Sequence, residues 1–257
     1  MIAARLLRGA LGVAGLLVVG ELVVRFAFPA DAMFPAPSTV LWEALKLFAD
    51  AEFLGGVLVT MGNWLVGLIV AVVVAVPFGV LLGAIPAVER AVRPLLEFLR
   101  PIPSVAIIPL AILLIPDDST MKVAVILYAC MWPVLINTLY GMQDVDPLAK
   151  DSLRSFGFGQ LAVLRRVSLP SAAPFIAAGV RIAAGIALIL AVSAELVAGG
   201  TGGIGVYVIK ASSGNRSDLV LAATLWAGVL GLLVNLAMVS LERRMFGWHT
   251  SKAGVAP

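Results

Sequence analysis

The chain has 257 residues, of which 61% are hydrophobic and 13% are charged, and its formal net charge is +3. Ordinary soluble domains contain roughly 45–50% apolar and about 25% charged residues, so this composition excludes a water-soluble fold. The basic residues are scattered without aromatic interleaving, which argues against nucleic-acid binding. A single cysteine excludes a disulfide framework and a metal site built from cysteines.

Long apolar stretches predict an all-α integral membrane protein with six transmembrane helices. About 20 apolar residues suffice to cross a bilayer as a helix. The stretch 53–88 has no charged residue and is longer than the hydrocarbon core requires, so its helix must begin outside the core, bend near Pro77 or end before Pro86. The predicted spans are 10–28, 57–84, 99–115, 121–141, 172–198 and 218–241.

Two features lie near the N-terminus. Arg5 and Arg8 precede the first apolar run, and the sequence at 30–32 resembles a signal-peptidase site, although the membrane-bound remainder favours a retained first helix. After the proline-containing sequence 35–38, apolar residues recur at helical spacing to residue 48. This pattern predicts a short interfacial helix on the outer surface.

Positive residues in the loops predict the orientation, because they are retained on the cytoplasmic side. With the N-terminus inside, twelve Lys and Arg residues are cytoplasmic and five are outside, while Arg181 lies within a span. A multi-pass protein of the cell membrane (inner or plasma), with both termini cytoplasmic, is therefore predicted. The cytoplasmic twelve are Arg5, Arg8, Arg90, Arg93, Arg100, Lys150, Arg154, Arg165, Arg166, Arg243, Arg244 and Lys252.

The longest cytoplasmic connection, 142–171, predicts a helix, a turn and a second helix. Asp146 followed by Pro147 is a helix-start pattern, with an N-cap acceptor and then proline at the first helical position. Helical spacing separates an apolar face from a basic face. The apolar face consists of Ala149, Leu153 and Phe156, and the basic face of Lys150 and Arg154.

The end of this helix is predicted at Gly157, and 160–167 predicts a second short helix that stops at Leu169-Pro170. Such a short amphipathic helix cannot cross a membrane. Its apolar face must be buried in the cytoplasm, either against this chain's own loops or against a partner.

The loop resembles the signature of permeases of binding-protein-dependent ABC importers. That signature is Glu-Ala-Ala, three residues, Gly, nine residues, Ile, one residue and Leu-Pro. This chain has Asp151-Ser152-Leu153, Gly157, Val167 and Leu169-Pro170 at the same intervals. The substitutions keep the acidic first position and the apolar character.

Further sequences extend the resemblance over about residues 30–245, in the order usual for the nitrate, sulfonate and taurine branch of this family. They are Phe34-Pro35-Ala36-Pro37-Ser38, Arg100-Pro101-Ile102-Pro103, Ala194-Glu195 and Gly202-Gly203-Ile204-Gly205. The resemblance implies the type I ABC importer permease fold. It divides the chain into a tail with the first helix (1–30), a permease domain (31–245) and a cytoplasmic tail (246–257).

The resemblance also implies a coupling helix, about 146–156, that docks on a separate ATPase subunit and transmits its motion. ATP and Mg would then belong to that partner, in agreement with the lack of a G-x-x-x-x-G-K-[ST] phosphate loop in this sequence. No catalytic, metal-binding or cofactor-binding residue is predicted, and the chain is not expected to be an enzyme. The expected coupling residues are Asp146, Pro147, Lys150, Asp151, Leu153, Arg154, Phe156, Gly157, Val167, Leu169 and Pro170.

Candidate pathway or gate residues lie in and after the fifth span. Ionisable residues at membrane depth are expected to face a bundle interior or an aqueous cavity. Arg181 and Glu195 are 14 residues apart, or about 21 Å along a helix, so they cannot pair with each other. The glycine-rich sequence 200–205 formally matches G-x-G-x-x-G, but it follows a membrane span and not a strand. The candidates are Arg181, Glu195, Gly202, Gly203 and Gly205.

The expected function is the permease subunit of an ATP-driven importer. A second permease copy, two ATPase subunits and an extracytoplasmic solute-binding protein are the implied partners in the bilayer. The expected solute is a sulfonate, taurine, nitrate or a similar small anion, and a vitamin or vitamin precursor is the alternative. A secondary transporter or channel that works without ATP is the rival class, but no inverted repeat or chain of membrane-embedded acids is evident.

Overall fold

The computed structural model describes residues 2–27 and 34–246, and every regular element in these ranges is helical. The signal-peptidase-like sequence and the tail from 247 onward lie outside the described residues. The helices are α1 (Ile2–Ala27), α2 (Pro37–Lys46), α3 (Ala51–Ala84), α4 (Pro86–Leu99), α5 (Ile108–Leu114), α6 (Asp118–Gln143), α7 (Pro147–Ser155), α8 (Gln160–Val163), α9 (Leu169–Ala198), α10 (Ile204–Ser213) and α11 (Ser217–Met245).

Four helical segments in the described part of the chain are long and apolar enough to cross a membrane. They are α3, α6, the continuous segment Gln160–Ala198 and α11, and the bent pair Pro86–Leu99 and Ser104–Leu114 makes a fifth if it counts as one span. Helix α1, which contains most of the first predicted span, has 26 residues and a length of about 39 Å. The prediction of an all-α membrane fold is confirmed.

The span predicted at 99–115 is not a single helix. Helix α4 ends at Leu99, and the chain bends by 81° before a 3₁₀ turn, Ser104–Ile107, leads into α5. Pro101 and Pro103 lie in the bend. Proline lacks an N–H donor and pushes the preceding residue out of the helical region, so two prolines two positions apart separate the helices.

Helix α3 resolves the question posed by the long apolar stretch. The side chain of Asp50 caps it by accepting hydrogen bonds from the amides of Glu52 and Phe53 at 2.9 and 3.1 Å. The helix continues through Pro77 and ends at Ala84, before Pro86. Of the three alternatives, an end before Pro86 is therefore observed. The helix also starts at Ala51, ahead of the predicted span 57–84.

The core lies where α3, α6 and α9 pack together, and it uses small residues. Ala71, Ala183 and Ala187 are fully buried, and a side chain at Gly79 would overlap with Thr138 of α6. Close approach of helix backbones stabilises membrane bundles, because helices gain little from the hydrophobic effect inside a lipid phase. This packing fixes the relative positions of the polar side chains described below.

The second predicted helix of the long loop does not stop at Leu169-Pro170. Instead α8 passes through a π-helical turn, Leu164–Ser168, directly into α9. Pro170 follows directly after this turn, inside a continuous helical segment. The prediction of a stop there is wrong, because the wider π turn absorbs the change in hydrogen bonding.

Candidate functional site

The loop helix α7 has well-defined ends. Asp146 Oδ1 accepts a hydrogen bond from the Leu148 amide at 2.8 Å, and Pro147 occupies the first helical turn. At the other end Gly157 has a φ of +81°, a left-handed conformation that glycine adopts without strain. Its amide donates to the Arg154 carbonyl at 2.9 Å. The sequence pattern at both ends therefore produces a short helix with a fixed exit.

The apolar residues of α7 divide between two surroundings. Ala149 and Leu153 are half-buried, and α7 contacts α8 and the turn that follows it. In contrast, 82% of the Phe156 side chain and 73% of the Leu148 side chain are exposed. Part of the predicted apolar face therefore packs against this chain, while Phe156 of that face and Leu148 at the start of α7 provide an exposed apolar surface.

The remaining loop residues have contacts of their own. Arg154 forms an exposed ion pair with Asp151 at 3.0 Å, and the Arg166 guanidinium lies 4.9 Å from the centre of the Phe158 ring. Lys150 is half-buried. Of the later signature positions, Val167 lies in the π turn, while Leu169 and Pro170 begin α9.

A second polar site lies at the other end of the helices, around Glu195. This residue of α9 is fully buried. Its carboxylate accepts hydrogen bonds from the Thr60 hydroxyl at 2.8 Å and from the Gly205 amide at 2.9 Å. The Thr60 oxygen in turn accepts the Ile204 amide at 2.9 Å. Two side chains from different helices therefore bind the first amides of α10, which no earlier residue of that helix can satisfy.

The loop before α10 fits tightly over the same carboxylate. Gly203 has a φ of +136°, and a side chain there would overlap with the carboxyl group of Glu195. A side chain at Gly205 would meet the Cβ of Glu195 at 2.6 Å. Gly202 is half-buried and has ordinary space next to Val59. Gly203 and Gly205 thus allow close approach, whereas the contacts at Gly202 do not require glycine.

A buried ion pair supports the beginning of this loop. Lys122, which is 0% exposed, donates to Asp118 Oδ2 at 2.8 Å, and the Thr201 amide lies 3.4 Å from the same oxygen. A side chain at Gly200 would overlap with the Asp118 carboxylate. The sequence 200–205 therefore rests on carboxylates from two helices, α6 and α9.

Further contacts hold α10 against the start of α3. The Tyr207 hydroxyl donates to Asp50 at 3.0 Å, and Lys210 pairs with Glu52. Burial and the Asp50 carboxylate raise the pKa of Tyr207 to about 12, so the phenol remains a neutral donor at physiological pH. We name the residues Thr60, Asp118, Lys122, Glu195 and the glycine loop 200–205 the outer cluster, after the side of the membrane on which the predicted orientation places them.

Arg181, the other predicted pathway residue, is not part of the outer cluster. It lies on α9 and forms an ion pair with Glu242 of α11 at 3.0 Å. Both side chains are partly exposed, at 38% and 28%. The inference that Arg181 and Glu195 cannot pair is confirmed, and the partner of each is now identified.

Sequence reasoning missed three members of the outer cluster. Thr60 lies in a charge-free apolar stretch, and its hydroxyl gives no pattern of its own. Asp118 and Lys122 stand at i and i+4 at the start of α6, which is a recognisable ion-pair spacing. That spacing was the available signal.

The bundle of apolar helices and the projecting loop helix define a multi-pass membrane permease. The profile of the family described as "Binding-protein-dependent transport system inner membrane component" matches residues 75–247, and the chain belongs to this family.

Individual relatives are permeases of ABC importers. The chain is 30% identical over 239 residues to the taurine transport system permease protein TauC of Escherichia coli (strain K12), covering 91% of this chain and 86% of that protein. It is 27% identical over 248 residues to the putative aliphatic sulfonates transport permease protein SsuC of Bacillus subtilis (strain 168), covering 96% and 90%. The nitrate import permease protein NrtB of Leptolyngbya laminosa is 28% identical over 209 residues, covering 77% and 74%.

Solved structures share the fold. A chain of the MetNI methionine ABC transporter superimposes with a TM-score of 0.65 at 17% identity, over 82% of this chain and 99% of that chain. A chain of a bacterial alginate ABC transporter gives a TM-score of 0.64 at 16% identity, over 95% and 94%. The type I ABC importer permease fold is confirmed.

Proposed function

We propose that this chain forms the translocation pathway of an ATP-driven importer together with a second permease copy, and that both of its termini are cytoplasmic. Two separate ATPase subunits bind it inside the cell, and an extracytoplasmic binding protein delivers the solute. ATP and Mg belong to the ATPase subunits. The chain's membership of the permease family and the similarity to taurine, sulfonate and nitrate permeases support this assignment.

The observation that carries the proposal is the exposed apolar surface of α7. Phe156 and Leu148 are large side chains that remain more than two-thirds exposed in the isolated chain. Exposed aromatic residues on a rigid element are typical anchors at protein interfaces. We therefore propose that α7 inserts these two side chains into a groove of the ATPase, while Asp151 and Arg154 surround the contact.

The continuous helix after the loop supplies a route for coupling. Because α8, the π turn and α9 form one helical segment, a displacement of the loop acts directly on α9. The far end of α9 carries Glu195, which binds the start of α10. We propose that the outer cluster is the outer gate, with Glu195, Gly203 and Gly205 holding it closed, and that Arg181 with Glu242 steadies α9 against α11.

A small sulfonate, taurine, nitrate or a similar anion is the proposed solute, and a vitamin precursor is the alternative within the same family. The rival class is a secondary transporter or channel that works without ATP. It would need no exposed docking helix, so the surface formed by Phe156 and Leu148 favours the importer.

The test is solute uptake and ATP hydrolysis in proteoliposomes that contain the chain, its candidate ATPase and the loaded binding protein. Native complexes should hydrolyse ATP in response to the binding protein. Gly157→Val should remove this response, because a β-branched residue does not tolerate a φ of +81°. Gly159→Ala is the matched control, since Gly159 has a φ of −70° and open space around it.

Two results would overturn the proposal. One is uptake without ATP by a chain that copurifies with no ATPase, which would favour the secondary transporter or channel. The other is an unchanged ATPase response in Gly157→Val, which would remove α7 from the coupling route.

A further inference from the structure

Helix α2 bridges α1 and α11 at their outer ends. On one side, Glu21 of α1 accepts hydrogen bonds from the amide and the hydroxyl of Ser38 at 3.0 and 2.9 Å. On the other side, the indole N–H of Trp226 on α11 donates to the Ala44 carbonyl at 2.8 Å. Through these contacts α2 fixes the position of α1 relative to α11.

A cavity of about 740 Å³ extends inward from α2 between α1 and α11. The lining includes Leu17 and Val24 of α1 and Leu221, Leu225 and Leu232 of α11. Thr224 is the only polar side chain among the described lining residues, and its hydroxyl already donates to the Val220 carbonyl at 2.8 Å. Protein interiors contain few voids larger than a water molecule, so an apolar space of this size needs an apolar occupant.

The cavity has the depth of one lipid leaflet. Trp42 of α2 is 60% exposed, and Lys46 Nζ lies 5.5 Å from the centre of its ring. Exposed tryptophan and snorkelling lysine side chains are typical of the membrane–water interface, so α2 lies at this level. The lining of α11 extends from Leu221 to Leu232, or about 17 Å along the helix. Half of a hydrocarbon core of about 30 Å is about 15 Å, and the two lengths agree.

The position of α2 separates two candidate occupants. A helix of a second copy would have to cross the whole hydrocarbon core, but α2 covers the outer end of the cavity with Pro37, Val40 and Leu41. An acyl chain needs only the depth of one leaflet, and it brings no polar group into the cavity. The cavity therefore fits a lipid chain better than a transmembrane helix.

The rim of the cavity carries a charge that suits a phospholipid headgroup. Arg25 directly follows Val24 of the lining, and its side chain is 65% exposed. It forms an ion pair with Glu21 at 2.7 Å. A guanidinium has five N–H donors, so Arg25 can bind a phosphate oxygen without releasing Glu21.

We propose that a phospholipid of the outer leaflet occupies this cavity, with an acyl chain between α1 and α11 and its phosphate at Arg25. The acyl chain fills the space inward of α2 and thereby packs α1 against α11. This lipid is a structural ligand and not the transported solute, so the proposal goes beyond the function proposed above.

The test counts the lipids that remain bound to the full chain. The chain is reconstituted in phosphatidylglycerol vesicles, extracted in a mild detergent and measured by native mass spectrometry, which reports bound lipid and copy number together. Gly228→Leu should lower the fraction of chains that retain a phosphatidylglycerol at least fivefold. Gly228 lines the cavity, and a Cβ there would meet no atom within 4 Å, so the leucine enters the cavity without a clash.

Gly15→Leu is the matched control. Gly15 is an exposed helical glycine with the same open space, and it lies about 160° around α1 from Leu17. Its lipid retention should equal that of the native chain. Leucine has a higher helix propensity than glycine, so both variants should fold, and thermal unfolding checks this.

Arg25→Gln tests the headgroup contact. It should lower lipid retention severalfold, because the phosphate loses its cationic partner. Arg8→Gln is the control, since Arg8 is exposed near the inner end of the same helix, about 26 Å from Arg25, and it should leave retention unchanged.

Three results would overturn the proposal. The first is equal lipid retention in the native chain and in Gly228→Leu. The second is a loss of dimers in Gly228→Leu, with or without a loss of lipid, because that result assigns the cavity to a second copy. The third is unchanged retention in Arg25→Gln, which removes the phosphate contact and with it the choice of a phospholipid.

Discussion

The two ends of this permease use opposite chemistry. In the loop 142–171, the proposed coupling loop, Leu148 of α7 and its C-cap residue Phe156 are exposed, and α7 has few contacts with the rest of the chain. In the outer cluster, Glu195 and Thr60 are fully buried, and three glycines of the loop, Gly200, Gly203 and Gly205, leave no space for a side chain. The difference fits the proposed docking of the first region on a partner, whereas Glu195 and Thr60 in the second region form hydrogen bonds within the chain. Substitutions should therefore affect stability in one region and assembly in the other.

The largest effect on stability is expected at Gly203. Gly203→Ala introduces a side chain that overlaps with the Glu195 carboxyl group and strains a φ of +136°. Strain and overpacking together should cost about 3 kcal/mol. Thermal unfolding in detergent measures the loss. Gly55→Ala, at an exposed helical position with open space, is the control and should not lower the melting temperature. Equal melting temperatures for both variants would contradict the tight fit.

The next effect is expected at Glu195. Glu195→Leu removes the acceptor of the Gly205 amide and of the Thr60 hydroxyl, and it should cost about 2 kcal/mol. Thermal unfolding should show the change, together with faster hydrogen exchange in α10. Glu52→Leu removes an exposed carboxylate that contacts the same helix through Lys210, and it should cost about 0.5 kcal/mol or less. If the two substitutions cost the same, the outer cluster does not hold α10.

A smaller effect is expected at the ion pair between Arg181 and Glu242. Both side chains retain partial solvent access, so solvent screening limits the contribution to about 1 kcal/mol or less. A double-mutant cycle with Arg181→Gln and Glu242→Gln, followed by thermal unfolding, measures the coupling between the two residues. A coupling energy as large as the loss in Glu195→Leu would show that this pair is as strongly held as the outer cluster.

The smallest effect on stability is expected at Phe156. Because its side chain is 82% exposed, Phe156→Ser should change the free energy of unfolding by about 0.5 kcal/mol or less. The same substitution should strongly reduce copurification of the ATPase, since the exposed ring is the proposed anchor. Trp42→Ser is the control, because Trp42 is 60% exposed on α2, at the opposite end of the helices. A large loss of stability with normal copurification would reverse the comparison between the two regions.

Local patterns predicted much of the coupling loop. Asp146 with Pro147 marked the start of α7, and Gly157 marked its end, because helix caps depend on residues within a few positions. Two local predictions failed. The chain continues from α8 into α9 through a π turn, and the span predicted at 99–115 is bent at its prolines. In both places the effect of a proline depends on whether neighbouring helices stabilise an irregular backbone.

The apolar face predicted for α7 shows why exposure is harder to predict than helix formation. Spacing correctly placed Ala149 and Leu153 on a helix, and Phe156 is the C-cap residue of that helix. Only the packing of α7 on α8 determined that Leu153 is half-buried and Phe156 exposed. A hydrophobic pattern gives the face of a helix, but it does not say which part of that face its own chain covers.

The sequence by itself determined that this protein is a helical membrane permease, because the length of apolar stretches and the spacing of a loop signature are properties of neighbouring residues. Only the tertiary structure decided which polar groups meet. Thr60 and Glu195 are 135 positions apart, and Arg181 finds its partner on another helix. Such pairs form because a buried polar group needs a partner, and only the packing of α3, α6, α9 and α11 brings that partner within reach.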